Sequence, residues 1–313
     1  MGGGGMRFRS LEVAKNPDRQ KYYVSQQVDM EGAIIRARFA GDAITLTSDN
    51  YTYTPSGALT ENDDHITLTS TIGGVTRSAT IPIEVLDISP TLDLNDWEAI
   101  AEAAKMGIAD KIWHIGDTKN QVINGKTYTL KVIGFHHDEL ADSDEERNNA
   151  EYNGNTKKAA IVFQFMQSPG TAFFHTSSDW NIAWQNSSMR NTTLANLYNG
   201  LPSDMKAAIR KVKKYSAERY ANYAQETEDR LFLGSVAEIF GQNTDTAAAE
   251  NAACKRYEYY LAGNIPPHEN VNWLRSAHFQ CSLDEYHFAM VANNGAKSWS
   301  THMKLGYCPI FCV

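Results

Sequence analysis

The sequence predicts two folded domains, an all-β sandwich followed by an α+β domain. Three observations carry this. The chain has 313 residues, more than the roughly 100–200 residues usual for one domain. Residues Leu11 to Val85 read as short strands rich in Thr, Ser, Ile, Val and Tyr, punctuated by turn residues. Beyond Asp110 the pattern mixes strands with short capped helices.

In the first domain, Ile34, Ile35 and Phe39 lie on one strand and Tyr51 and Tyr53 on another, which closes at the turn Pro55-Ser56-Gly57. Ile66 and Leu68 run toward Gly73-Gly74. Beyond that turn Ala79, Ile81, Ile83 and Val85 alternate with Thr80, Pro82 and Glu84, the period of a half-buried hairpin.

A helix follows. Asn95 with Glu98 three residues later has capping-box spacing, Trp97, Ile100, Ala101 and Ala104 form an apolar face, and Gly107 is the stop. The second domain opens at Ile112-Trp113, with a hairpin at Asn124-Gly125 between Val122-Ile123 and Tyr128, Leu130 and Val132. Ala160 to Phe165 is an apolar strand. Asn191 is read as the cap of a segment carrying Leu194 and Leu197, and Ser235 with Glu238 as a capping box ending at Gly241. A further helix is placed after Pro202-Ser203, with Met205, Ile209 and Val212 on its apolar side. The expected layout is an arm over 1–10, including the glycines between Met1 and Met6, a sandwich over 11–87, a helical connector over 88–110 and the second domain over 111–313.

A formal charge of −8 argues against nucleic acid or anionic membrane as a broad partner, since both are bound through a basic excess. No apolar run reaches membrane-spanning length, so membrane insertion is not expected. No secretory signal is visible at the N-terminus. Cys254, Cys281, Cys308 and Cys312 lack C-x-x-C spacing and read as reduced, buried thiols.

Two resemblances sharpen this. Tyr51-Thr52-Tyr53-Thr54-Pro55-Ser56-Gly57-Ala58-Leu59-Thr60 and Ile72-Gly73-Gly74-Val75-Thr76-Arg77-Ser78-Ala79-Thr80 resemble a bacterial immunoglobulin-like repeat of surface and phage structural proteins. That implies an immunoglobulin-like sandwich serving as spacer or anchor. From Ile112 to Val313 the ordered motifs Gly116-Asp117-Thr118, Ile133-Gly134-Phe135, His137-Asp138, Phe163-Gln164-Phe165, Ser188 to Leu194, Leu231-Phe232-Leu233, Glu238 to Gly241, Tyr257 to Tyr260, Trp273-Leu274-Arg275-Ser276 and Pro309 to Cys312 resemble an uncharacterised domain family of Gram-positive surface and phage proteins. The Trp-Leu-Arg-Ser step and the terminal strand are similar to C-type-lectin-like and formylglycine-generating-enzyme-like folds, which implies a C-type-lectin-like α+β domain.

The candidate ligand-binding residues are Trp273, Arg275, Asp284, Tyr286, His287, Asn293, Asn294, Trp299 and His302. Trp273, Arg275 and Ser276 suit a floor on which an indole stacks against a sugar while guanidinium and hydroxyl take its hydroxyls; the competing reading is a core tryptophan with a structural arginine. Phe279 to Lys304 is rich in His, Tyr, Asn, Ser and Trp, the composition of an adaptable recognition surface.

Other clusters read as structural. His136 to Glu139 with Asp142, Asp144, Glu145 and Glu146 matches no metal motif and is expected to be a solvated acidic loop. Lys206, Arg210, Lys211, Lys213 and Lys214 are expected to form a solvated basic helix face. Cys308 and Cys312 raise a copper-dependent thiol oxidase through the fold analogy, but packing is the better account of Cys312. No nucleophile elbow, P-loop or dinucleotide fingerprint is present, and no cofactor or metal is implied.

The expected function is non-enzymatic: a phage virion component, or a bacterial surface protein, that recognises host-surface polysaccharide or protein as a fibre, tail or head-decoration component. The missing signal favours the virion. Contacts with other virion proteins and a homo-oligomer are expected, because display of many weak sites raises avidity. The alternatives are a purely structural virion protein and, further off, a thiol oxidase or wall hydrolase.

Overall fold

The computed structural model describes residues 7–176, 183–218, 221–242, 244, 246–267, 271–277 and 303–313, with the backbone of 286–290 and 296–300. The fold is β-rich and multidomain: the chain divides into two compact units, Met1–Pro90 and Thr91–Val313.

The first unit contains β1 (Ser10–Lys15), β2 (Lys21–Tyr23), β3 (Ile34–Arg38), β4 (Ala43–Thr45), β5 (Thr52–Thr54), β6 (His65–Ile72), β7 (Val75–Pro82) and β8 (Glu84–Leu86). Antiparallel sheets β1-β3-β4 and β5-β6-β7 accompany a parallel β2-β8 pair. Gly73 and Gly74 both take positive φ, 58° and 76°, and Ile72 pairs with Val75 across them. That two-residue turn matches strand twist and demands residues tolerant of the left-handed region. Alternation then sends Ile66, Leu68 and Ile81 into a core with Leu11, Tyr22, Ile35 and Leu59. Ser70 shares the inward face and donates its hydroxyl to the Asn50 carbonyl at 2.7 Å. The end of the arm expected over 1–10 is folded: Phe8 is buried in this core and the Arg9 N–H bonds Arg38 O, because an aromatic so close to β1 gains more by burial than by exposure. Met1–Met6 lies outside the described residues.

The second unit contains α1 (Trp97–Lys105), α2 (Ala109–Ile112), β9 (Thr118–Ile123), β10 (Lys126–Phe135), β11 (Ile161–Phe165), β12 (Thr171–Ala172), α3 (Ala195–Asn199), α4 (Ser203–Ala208), β13 (Val212–Ser216) and β14 (Gln225–Asp229). It continues through α5 (Val236–Ile239), α6 (Ala248–Ala253), α7 (Glu258–Leu261), β15 (Asn272–Ala277), β16 (Tyr286–Met290), β17 (Ala296–Ser300), β18 (Leu305–Gly306) and β19 (Ile310–Cys312). One sheet runs β19-β11-β10-β9, a second β12-β18-β15-β16-β17, and β13-β14 is a separate ribbon.

The Asn124-Gly125 turn joins β9 to β10 with φ of 51° and 78°. The helix expected as a connector belongs to this unit: Trp97 meets Phe163 and Phe311 edge-on, and those two rings stack at 5.3 Å. Its cap is Asp96, which accepts from Ala99 N at 2.8 Å, whereas Asn95 gives its amide to the carbonyls of Thr91 and Leu92. Asn191 lies inside the helical segment Met189–Leu194 rather than capping it, and donates to Gln185 O at 2.9 Å.

The helix after Pro202 stops at Ala208, and Ile209 is already extended. Val212 and Lys213-Lys214 therefore sit on β13, paired with β14. No basic helix face forms, because a tertiary partner strand overrides a local helical period.

Candidate functional site

Among the candidate binding residues, Trp273 and Arg275 fall on β15, whose residues from Asn272 to Ala277 are all buried. Trp273 is fully buried; its indole N–H donates to Ala172 O at 3.0 Å and its ring meets Phe174 edge-on at 5.7 Å. It offers no open face to a sugar. A strand covered on both sides buries alternate residues in both directions, so the Trp-Leu-Arg-Ser step holds the interior rather than forming a binding floor.

Arg275 is likewise fully buried. It grips Glu238 with both terminal nitrogens, Nη2 to Oε1 at 2.7 Å and Nη1 to Oε2, and donates to the carbonyls of Leu233 at 2.7 Å and Tyr215 at 3.2 Å. Ser276 Oγ accepts from Val236 N at 2.9 Å and donates to Glu250 Oε1; Glu250 Oε2 takes Ala217 N at 2.8 Å.

The pair extends into a network. Lys214 Nζ lies 2.7 Å from Glu238 Oε1, and donates to Asp138 Oδ1 at 2.6 Å and Tyr257 Oη at 3.2 Å. Tyr257 donates its hydroxyl to Asp138 Oδ2 at 2.9 Å, and Cys312 Sγ lies 3.4 Å from the same oxygen. Two buried carboxylates thus balance two buried cations, the arrangement under which charges persist inside a protein.

Electrostatics follow from this geometry. Burial works against an ionised Asp138, but Lys214 and His137 outweigh it and hold the carboxyl far below its ordinary value. Burial likewise opposes ionised Glu238, yet Arg275 and Lys214 bring its pKa to about 2. Lys214 is raised despite burial by Asp138 and Glu238. Burial pushes Cys254 up to about 12 and Cys312 well above the ordinary thiol value, which disfavours the thiolate form at both.

The acidic loop expected to be solvated is in part interior. Asp138 and Asp144 are buried; Asp144 accepts Glu146 N at 3.0 Å and Lys211 N at 2.6 Å. Among the described residues no group of three or more His, Cys, Asp or Glu side chains is placed to hold a metal, and no helix is long and apolar enough to cross a membrane.

Of the remaining candidates, Tyr286, His287 and Trp299 fall on β16 and β17 of the second sheet. β16 pairs with β15 through Trp273↔Ala289 and Ala277↔His287, and β17 pairs with β16 through His287↔Trp299 and Tyr286↔Ser300. The ladder thus sets His287 directly opposite Trp299, one step from Tyr286. Asp284, Asn293, Asn294 and His302 lie outside the described residues.

Sequence reading missed Asp138, Lys214, Glu238, Glu250 and Tyr257 as one cluster. One signal was legible: Ser235 and Glu238 do form a reciprocal capping box, at 2.9 and 3.1 Å, but the same carboxylate also takes Arg275 and Lys214, contacts contributed by distant segments.

The family model for a domain of unknown function, DUF6273, matches residues 143–313. The chain belongs to the DUF6273 family. No curated protein matches it. The folded unit is longer than the matched stretch: α1, β9 and β10 precede residue 143, yet β10 pairs with β11 and Asp138 closes the ion network on Lys214. In this member, the DUF6273 stretch is completed by residues 91–142.

Proposed function

We propose that this DUF6273 protein is a non-enzymatic recognition protein of a phage particle or bacterial surface, with an immunoglobulin-like spacer and a lectin-like second unit that presents the β16–β17 hairpin to host-surface glycan or protein. The observation that carries the reading is the ladder register, which puts His287 on β16 opposite Trp299 on the edge strand β17, with Tyr286 one step away along β16. An aromatic residue paired across the ladder with an adaptable polar one suits recognition. Trp273 and Arg275 serve it indirectly, as buried anchors of the strand on which the hairpin is built. Rigid elements hold a binding constellation more closely than loops do.

Each site would be weak alone, and display in an oligomer or particle would raise avidity by about a hundredfold to ten-thousandfold. The test is binding of the full chain, alone and multimerised on a bead, to intact Gram-positive cells and to extracted wall glycans, beside Trp299→Ala and Tyr286→Ala. Saturable binding that both variants lose supports the reading. Absence of binding by folded, multimerised protein overturns it in favour of a purely structural particle component.

A further inference from the structure

His137 follows β10 and packs against the Tyr257 ring, tilted by 34° with centroids 4.1 Å apart, and its Nδ1 lies 3.4 Å from Asp138 Oδ1. Its side chain is 9% exposed, and its other nitrogen, Nε2, is buried without a hydrogen-bond partner. Buried polar atoms are nearly always satisfied, and an exception asks for a missing partner. The same residue lines a cavity of about 420 Å³ shared with Cys254, Lys255, Arg256, Glu258 and Leu261.

The wall is built for close approach. Gly134 leaves room where any Cβ would stand 2.6 Å from Glu258 Oε2 and 3.3 Å from the Tyr257 ring, so the glycine lets Glu258, Tyr257 and His137 converge. Arg256 is anchored by Nε, which donates to Ile239 O at 3.0 Å. Its two terminal nitrogens form no hydrogen bond or ion pair among the described residues, and Lys255 and Glu258 likewise enter no ion pair there. The charged lining is therefore two cations to one carboxylate, locally basic in a chain of net charge −8.

The geometry points to this cavity as a binding site for a small hydroxylated oxyanion, a phosphate monoester or carboxylate. The fork of Arg256 matches two oxygens of such a group as a point charge does not. His137 supplies a further donor from Nε2 in its imidazolium form, Lys255 adds charge, and Glu258 accepts from a ligand hydroxyl. The groups that face His137 are Asp138 beside it, Lys214 on β13, Glu238 on α5, and Tyr257 and Glu258 at α7. Burial opposes the charged ring, but the hydrogen bond and charge of Asp138 outweigh it and raise the pKa above the ordinary histidine value. Cys254 stays a thiol and contributes packing.

The test titrates the full chain with glycerol 3-phosphate, with inorganic phosphate and with glycerol, at constant ionic strength, following the His137 Cε1–H resonance in histidine-labelled protein. Saturable shifts with glycerol 3-phosphate, and none with glycerol, are expected. Arg256→Gln is expected to weaken binding about tenfold or more, the range for a hydrogen bond to a charged group, while Lys105→Gln, outside the cavity, leaves it unchanged. A His137 resonance that does not move saturably, responds equally to glycerol, or titrates equally in a folded Arg256→Gln protein overturns the proposal. Arg256 is half-buried and stands outside the Arg275–Glu238–Lys214–Asp138 network, so the variant is expected to fold; a thermal melt verifies this. The result is independent of cell binding by the β16–β17 hairpin.

Discussion

Arg275 and Glu238 meet as a forked ion pair in the interior of the second unit, with Nη2 2.7 Å from Oε1 and both side chains buried. Lys214 shares Glu238 from the other side at 2.7 Å, so one carboxylate touches both cations. Removing it leaves Arg275 without its carboxylate partner, while Lys214 keeps Asp138. Glu238→Ala is expected to destabilise the unit by about 3–5 kcal/mol, the cost of breaking a buried pair by deleting one partner, as read by urea unfolding. A loss under about 1 kcal/mol would mean that water reaches the cluster.

Acid sensitivity follows from the same groups. Glu238 titrates at about 2 in the folded chain against an ordinary 4.5, and Asp138 is also depressed. A depressed folded value means that the unfolded state binds more protons, so the contribution is full above about pH 4.5 and lost as pH falls toward 2. Glu250 acts with opposite sign: burial raises its value, so it favours the folded state most at low pH and this contribution is lost as pH rises through its raised value. Urea midpoints from pH 7 down to pH 2.5 are expected to fall below pH 4.5, and Asp138→Asn is expected to flatten that fall.

Trp273 is expected to behave as a core residue. Trp273→Ala should cost about 3–5 kcal/mol, the range for deleting a buried aromatic, and leave its partner Ala172 O without the indole donor. Stability unchanged by the substitution would contradict the packing described for β15.

Backbone conformation separates two turn glycines. Gly125 sits at φ 78°, so Gly125→Ala is expected to cost about 1–2 kcal/mol. Gly57, which lies outside the left-handed region with open space around it, is expected to accept alanine within about 0.5 kcal/mol. Thermal melts of the two variants provide the comparison.

The family boundary has a direct consequence. A chain limited to the matched residues 143–313 lacks β10, the neighbour of β11, and Asp138, the partner of Lys214. It is expected to be insoluble or unfolded, whereas residues 91–313 are expected to give a cooperative melt. Equal stability of the two fragments, by circular dichroism, would show that 91–142 is dispensable.

The sequence by itself determined the features governed by near neighbours. Asn124-Gly125 and Gly73-Gly74 announce their hairpins because few residues take positive φ cheaply. Alternation along β6 and β7 exposed the inward face of Ile66, Leu68 and Ile81, and the Ser235–Glu238 spacing announced a cap, since each depends on contacts within a few residues. Tertiary structure alone decided the rest. Lys213-Lys214 reads as part of a basic helix until β14 claims it as a strand, and Asp138 reads as a solvated acid until Lys214, 76 residues away, meets it in the core. Trp273 and Arg275 fit a binding floor equally well until Phe174, Ala172 and Glu238 close over them. Burial of a charge or an aromatic depends on what distant segments bring to it, and no local pattern encodes that approach.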